Sequence, residues 1–288
     1  MNWEIAVAGT AHHDDVATPH GRRQRQLGGS SVYFSLAAAR RARIHLHAIV
    51  GTDFEGEARD AVRGLPVDLA GLTVSATPTH YSRALHDYQR WIAVELEAEA
   101  GCDPEWQPRL TPAARRAEVL FLGSMDPQLQ LEVLAQSSAR LIAADSMTCF
   151  TGPQQEQVLR VLDSADILFA NRHELASLVA EVEPWQEAAR CLLGRGRLRA
   201  VVVKAGPEGA AIVTRSTVVE RPAAPVGVVM DPTGAGDALA GGFLGLCAAR
   251  RRDDEGAFLE ALEEGLLCAA AAVSAFGIHA LRGIAVPG

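Results

Sequence analysis

Asp231-Pro-Thr-Gly-Ala-Gly-Asp237, running on as Ala-Leu-Ala-Gly-Gly-Phe243, decides how this chain is read. Three small residues, Gly234, Ala235 and Gly236, stand before an acid. The apolar, small-residue stretch behind that acid reads as a helix through Leu246. Small residues at a helix entrance leave backbone N–H groups bare and turned toward one point, where the helix dipole adds partial positive charge. An anion fits there. Asp237 at the rim is placed to take a proton from a hydroxyl facing that anion, which is the equipment for moving a phosphoryl group onto an alcohol. For a bare Gly-x-Gly-Asp, a capped helix start with a tight glycine turn explains as much. Here the string is longer, and Gly241-Gly242 permits close helix packing.

Composition narrows the field. The chain has 288 residues, 48% of them hydrophobic, which is ample for a buried core. A formal net charge of −8 makes a nucleic-acid binder a poor expectation. Basic clusters occur at Arg22–Arg25, Arg40–Arg43 and Arg250–Arg252, and the last is answered by Asp253, Asp254 and Glu255. The five cysteines are scattered and form no Cys-x-x-Cys, so a reducing cytoplasmic setting is expected rather than disulfides or a metal knuckle. The first residues lack a signal-peptide pattern. The apolar run Leu266–Ala275 is too short to span a bilayer and reads as a buried helix, so no membrane partner is expected.

Along the chain, short apolar runs alternate with helical spacing. Strands are expected at 5–9, 44–50, 119–122, 141–144, 167–170, 200–203, 210–213 and 226–229. Helices are expected at 30–41, 54–64, 128–136, 154–162, 185–193, 237–250 and 257–275. Residues 10–28 are polar and read as a loop or exposed excursion, while 79–97 reads as two or three partly exposed antiparallel strands. Repeated β-α-β units imply a mostly parallel sheet covered on both faces, with ligands gathering at the carboxyl ends of strands. Gly9, Gly51, Gly123, Asp145, Asn171 and the Lys204–Gly206 turn all fall there.

Taken with this order of elements, the 231–243 string resembles the C-terminal signature of the ribokinase (PfkB) family of carbohydrate and nucleoside kinases. The resemblance covers nearly all of the chain. It implies a single ribokinase-like α/β/α sandwich domain over 1–288, with a small β lid from about 10–28 and 76–98. It further implies ATP and Mg²⁺ as cofactors, and a sugar or nucleoside as acceptor. Asp237 would be the general base, and the N–H groups of Gly234, Ala235 and Gly236 the anion hole.

Other stretches match in order, each with a plainer reading beside it. Gly28-Gly29-Ser30-Ser31 is a turn and N-cap, or the family's N-terminal Gly-Gly approach to a substrate hydroxyl. Tyr33 stands nearby where the family often has Asn. Asp14, favoured over Asp15 by its spacing from Gly9, would bind two sugar hydroxyls, because one carboxylate can accept two O–H bonds. His12 and His13 read as pocket wall or surface. Gly51-Thr-Asp53-Phe-Glu-Gly56 resembles a family element in which Asp53 is simply a helix N-cap. Asn171-Arg-His-Glu174 is a capping arrangement, or the family's Asn-x-x-Glu whose Glu organises Mg²⁺ through water. Lys204, where the family often has Thr, meets a phosphate or is merely exposed at a strand end. Lys204, Gly206, Gly209, Thr233 and Phe276 would border the nucleotide. Asp145 to Thr148 follows a strand, with its role open between substrate and phosphate positioning. P-loop, Gly-x-Gly-x-x-Gly, Gly-x-Ser-x-Gly and His-Glu-x-x-His signatures are absent from the sequence. Three readings stand: a sugar kinase, a nucleoside kinase, and a binding-only protein on the same frame. An apolar lid face including Tyr81, Leu85 or Trp91 could pair two copies into a homodimer.

Overall fold

The computed structural model describes residues 2–89, 92–179 and 182–283. Strand β1 (Glu4–Ala8) leads into a hairpin of β2 (His12–Thr18) and β3 (Gly21–Gly28). Helix α1 (Ser30–Ala38), β4 (Arg43–Gly51), α2 (Glu55–Ala61) and β5 (Val67–Ser75) follow. Next come β6 (Tyr81–Asp87), β7 (Ile92–Glu99), β8 (Val119–Leu122), α3 (Pro127–Leu134) and β9 (Leu141–Asp145). Short α4 (Thr148–Thr151), α5 (Gln155–Ser164), β10 (Ile167–Asn171), α6 (Arg172–Leu178) and α7 (Trp185–Leu192) precede β11 (Ala200–Lys204), β12 (Ala210–Thr214) and β13 (Val218–Arg221). Helices α8 (Ala235–Arg250), α9 (Glu255–Val273) and α10 (His279–Arg282) close the described chain.

The large sheet runs β13-β12-β11-β10-β9-β8-β1-β4-β5. Its strands pair in parallel from β11 through to β5, and the β11–β12 and β12–β13 pairings are antiparallel. The order turns at β1, which lies between β4 and β8, so a crevice opens beyond the carboxyl ends of β1 and β8. Alternation along each strand divides the core. Ile5 and Val7 of β1 join the cluster under α1, α8 and α9, while Ala6 and Ala8 join the one under α3, α5, α6 and α7. Rings cross the first cluster in sequence. Phe34 stacks on Phe121 at 4.2 Å between centroids. Phe121 meets Phe169 edge-on at 6.2 Å, and Phe169 meets Phe243 at 5.5 Å.

Helix α8 approaches its neighbours closely because it is lined with glycine. A Cβ on Gly241 would lie 2.4 Å from Phe34 O of α1, and one on Gly242 2.7 Å from Cys268 Sγ of α9. Among the described residues, no helix is long and apolar enough to cross a membrane.

Three expectations need correction. Residues 10–28, read from the residues as a loop, are instead the β2–β3 hairpin, which with β6 and β7 forms the second, small sheet β3-β2-β6-β7 that the resemblance implied over 10–28 and 76–98. Its polar sequence hid the strands because one face borders a cleft, so no apolar alternation marks it. Residues 226–229 are not a strand. Pro225 and Gly227 interrupt that run, and the carbonyls of Val229 and Met230 accept from the Tyr88 hydroxyl instead. The strand beside β12 is β13, four residues beyond its turn, and β5 was not anticipated at all. Finally, Asp53 does not cap α2. Its Oδ1 accepts from Thr79 N and Thr79 Oγ1 at 2.9 and 2.8 Å, tying β4's end to the base of the small sheet. Of the apolar residues expected on the small sheet's face, Leu85 is exposed, Tyr81 is half-buried and Trp91 lies outside the described residues.

Phe169 is fully buried between two other rings, so Phe169→Ala leaves a large cavity. Urea unfolding should show a loss of about 3–5 kcal/mol.

Candidate active site

Residues from both sheets line a cleft of about 830 Å³ over the crevice beside β1. Asp14, Gly29, Tyr33, Thr233, Gly234 and Asp237, all expected from the sequence, meet there. Ser30 begins α1 above the strand ends. Its Oγ accepts from Thr10 N at 3.1 Å, and a Cβ on Gly9 or Gly123 would come within 2.5 or 2.6 Å of it.

The Asp231–Asp237 turn is held from below by Asp231, which is buried. Its Oδ1 accepts from Thr233 N at 2.9 Å, and its Oδ2 from Gly277 N at 3.4 Å. Gly234 then turns with φ 71°, a left-handed conformation that favours glycine. A Cβ there would lie 2.2 Å from Tyr33 Cγ, so the tyrosine ring packs flat against the turn. Ala235 N donates to Pro232 O at 3.3 Å, which leaves Gly234 and Gly236 as the freer of the three expected donors.

Asp237 sits in the first turn of α8. Burial, then the charge of Asp145, push its carboxyl up to about 7, against the pull of Lys204 and His12. Lys204 is not exposed at its strand end. Its Nζ donates to Asp145 Oδ1 at 2.7 Å, and its side chain runs alongside Gly236. Burial alone would lower the lysine's pKa, but Asp145 and Glu174 hold it above the usual range. Register pairs Asn171 of β10 with Lys204 of β11, which brings the Asn-x-x-Glu turn beside this ion pair.

Asn171 and Glu174 form a capping box. Asn171 Oδ1 accepts from Glu174 N at 2.9 Å, and Glu174 Oε2 accepts from Asn171 N at 2.8 Å. Ser146 Oγ also donates to Oε2, at 3.2 Å, while Oε1 accepts no hydrogen bond among the described residues. Burial raises the Glu174 pKa, with Lys204 opposing and Asp145 adding to the rise. Among the described residues, no group of three or more His, Cys, Asp or Glu is arranged to hold a metal.

Asp14 is buried against Gly28, where a Cβ would stand 2.0 Å from Asp14 Oδ2. His12 Nε2 lies 3.3 Å from Asp14 Oδ1. Burial would lower the His12 pKa, yet the charge and hydrogen bond of Asp14, with Asp103 and Asp237 behind them, raise it. His13 faces away, between Arg25 Nη2 at 3.2 Å and Glu57 Oε1 at 3.5 Å. Asp15 accepts from Arg25 N in the hairpin.

Other expected residues stand apart from the cleft. Gly206 and Gly209 shape the turn between β11 and β12. Phe276 is buried beneath the Arg23 guanidinium, 4.7 Å from its ring centre. The side chain of Thr148 lies outside the described residues. The small sheet also reaches the Asp231 turn. Thr18 Oγ1 donates to Met230 O at 3.0 Å, and His86 Nε2 lies 3.1 Å from Thr233 Oγ1. Unforeseen wall residues are Asp103, Trp106, Met125, Asp126 and Phe150. Met125 and Asp126 follow β8 at once, so the strand-end rule could have found them.

A mostly parallel sheet between helical layers, with an acid behind a glycine turn in the strand-end crevice, defines the class as ribokinase-like kinases. The chain belongs to the pfkB family of carbohydrate kinases, whose family model matches residues 6–281. The enzyme is accordingly a phosphotransferase with an alcohol group as acceptor. It is similar to the cytidine kinase of Thermococcus kodakarensis, 28% identical over 248 residues, covering 84% of this chain and 87% of that one. Among solved structures it resembles the Arabidopsis thaliana ribokinase complexed with ribose and ATP (TM-score 0.77, 20% identity, 100% and 95% of the two chains). It also resembles a Burkholderia thailandensis nucleoside kinase in complex with inosine (TM-score 0.77, 18% identity, 98% and 93%). Sugar and nucleoside kinases both stand among its relatives; the binding-only reading has no support there.

The raised Asp237 pKa has a consequence for stability. An aspartate at 3.8 when unfolded and about 7 when folded favours the fold while protonated. That contribution is present below about pH 4 and lost as pH rises through 7. Asp237→Asn should therefore melt higher than wild type at pH 8, with the gap closing toward pH 4, by thermal unfolding at each pH.

Proposed function

We propose that the protein is an ATP-dependent nucleoside kinase, transferring the γ-phosphoryl group to the hydroxymethyl of a nucleoside's ribose. The observation that carries this is the mixed lining of the cleft. It is lined by Asp14, Gly29, Gly234 and Asp237 and also by Trp106, Met125, Leu129 and Phe150. A free pentose is polar on every side and leaves the apolar lining uncovered. A nucleoside matches both kinds of lining, with its ribose at the carboxylates and its base against the apolar side chains. Relatives named as cytidine and nucleoside kinases support the same choice.

In this reading Asp14 accepts from two ribose hydroxyls, and Gly28 lets its backbone close in behind. His12 holds the Asp14 carboxylate in place. Asp237 takes the proton of the attacking hydroxymethyl, for which a pKa near neutrality suits a general base. The N–H groups of Gly234 and Gly236 face the transferred phosphoryl, and Lys204 beside Gly236 adds positive charge. The turn at Gly206–Gly209, with Asn171, Thr233 and Phe276, borders the rest of the nucleotide. Magnesium keeps most of its water and needs few protein ligands, so the one open oxygen of Glu174 fits it through water. Bound there, Mg²⁺ would neutralise charge on the phosphates. The small sheet acts as a lid that keeps water from the phosphoryl group. Free thiols at all five cysteines fit a cytoplasmic enzyme.

Turnover to ADP from Mg·ATP should be at least about tenfold more efficient in kcat/KM with a ribonucleoside than with ribose, since burial of a base adds apolar contact. Ribose used as well as every nucleoside overturns the reading. Asp237→Asn should lower kcat by roughly 10²–10⁴-fold. Wild-type kcat should rise with pH up to about 7 and level above it, because only the ionised carboxylate accepts the proton.

A further inference from the structure

The cleft's wall carries a sign. Asp14, Glu95, Asp103, Asp126 and Asp237 line it, and no Lys or Arg does among the described residues. Its two basic side chains, His12 and His80, are each matched to a carboxylate. His12 Nε2 lies 3.3 Å from Asp14, and His80 Nδ1 lies 3.0 Å from Asp103 Oδ2. The positive features at the Asp231–Asp237 turn, the helix start and Lys204, belong to the donor's phosphates. A second anion on the acceptor would meet carboxylates with no cation to answer it, and like charges at close range are strongly unfavourable.

Asp103 is placed to do more than repel. It opens a short 3-10 turn at Asp103–Glu105, directly before Trp106. Trp106 is nearly buried and lines the cleft, as does Pro104, which stands between the two in sequence. Asp103 Oδ2 faces His80, while Oδ1 has no side-chain partner among the described residues. Asp126, by contrast, uses Oδ1 on Gln128 N at 2.7 Å and Oδ2 on Gln154 Nε2 at 3.3 Å. A carboxylate only accepts hydrogen bonds. An open carboxylate oxygen in a cleft that Trp106 also lines therefore favours a flat group with an N–H₂ on its edge over one with a carbonyl there.

Building on the nucleoside reading, we infer that the acceptor is an uncharged nucleoside whose base bears an exocyclic amino group, which Asp103 reads beside Trp106. Phosphorylated acceptors are excluded by the same wall. Asp103 acts as a specificity residue and takes no part in the transfer itself.

The test uses two pairs that differ in amino against carbonyl, cytidine with uridine and adenosine with inosine. Ribose, fructose 6-phosphate and ribose 1-phosphate complete the panel, all with Mg·ATP. In whichever pair is turned over, the amino member should lead in kcat/KM by roughly 10- to 100-fold, the size of a hydrogen bond to a charged group. Both phosphorylated compounds should fall at least about a thousandfold below it. Asp103→Asn can turn an N–H₂ toward the base, so it should bring the pair within about threefold in kcat/KM. Equal use of amino and carbonyl members by the wild type, or efficient use of either phosphorylated compound, overturns the inference and leaves the nucleoside reading standing. Preference for ribose over all four nucleosides overturns the nucleoside reading itself. The wild-type ratios decide the matter even where the variant fails to fold.

Discussion

The contact of α8 with α1 is the constraint from which the rest of the site follows. Gly241 lets the two helices approach until a Cβ would overlap the carbonyl of Phe34. One turn of packing further, the Asp231–Asp237 turn comes down onto Tyr33, and Gly234 gives way to its ring. Because α1 itself starts at Ser30, directly over the ends of β1 and β8, this contact fixes two loops far apart in sequence against each other. Asp14 of the small sheet and Asp237 of α8 thus face one cleft. A larger side chain at the helix crossing would part them, and even a displacement of about 1 Å is costly to reactions that depend on alignment.

Close packing also sets the electrostatics. Asp237, Asp145, Glu174 and Lys204 share a confined space in which burial disfavours every charge. Lys204 stays charged by pairing with Asp145, and that pairing leaves Asp237 without a cation of its own. Its carboxyl is consequently poised near neutrality rather than at the usual acidic value. Burying these like charges together costs stability, and on the proposed reading that cost falls where a base is needed.

The inner strands of the large sheet, β1, β4 and β8 to β12, were legible because they are short apolar runs buried on both faces, while the edge strands β5 and β13, half-exposed, were not. The meeting of Gly234 and Asp237 at the cleft was legible because the glycine string and the acid stand together at a helix start, whereas Asp14, inside β2, was reached only through the family resemblance. Other features were hidden for physical reasons. The β2–β3 hairpin is polar because its inner face borders solvent and cleft, so the usual alternation is missing. Asp53 looked like a cap, yet a chain partner twenty-six residues away claims it. Lys204 next to Asp145 could not be foreseen, since a contact between neighbouring loops depends on strand order rather than on spacing. The apolar lining of the cleft at Trp106, Met125 and Phe150 comes from three separate connections and leaves no motif at all.

That division has a reason in how such an enzyme works. Phosphoryl transfer requires the same few groups whatever the acceptor, so those groups sit on the helix start and strand ends, where the frame holds them rigidly. Acceptor choice requires only a wall, and a wall can be assembled from any loops that reach it. Here the wall is contributed by the small sheet, the Asp103 turn and the segments after β8 and β9. The small sheet reaches further still. Thr18, His86 and Tyr88 bond to the segment before α8, and Arg23 covers Phe276. The strands that line the cleft are therefore the same strands that brace the Asp231–Asp237 turn. On the proposed reading, an acceptor held against the small sheet would also steady the turn that faces the phosphoryl group, joining recognition and chemistry through one set of hydrogen bonds.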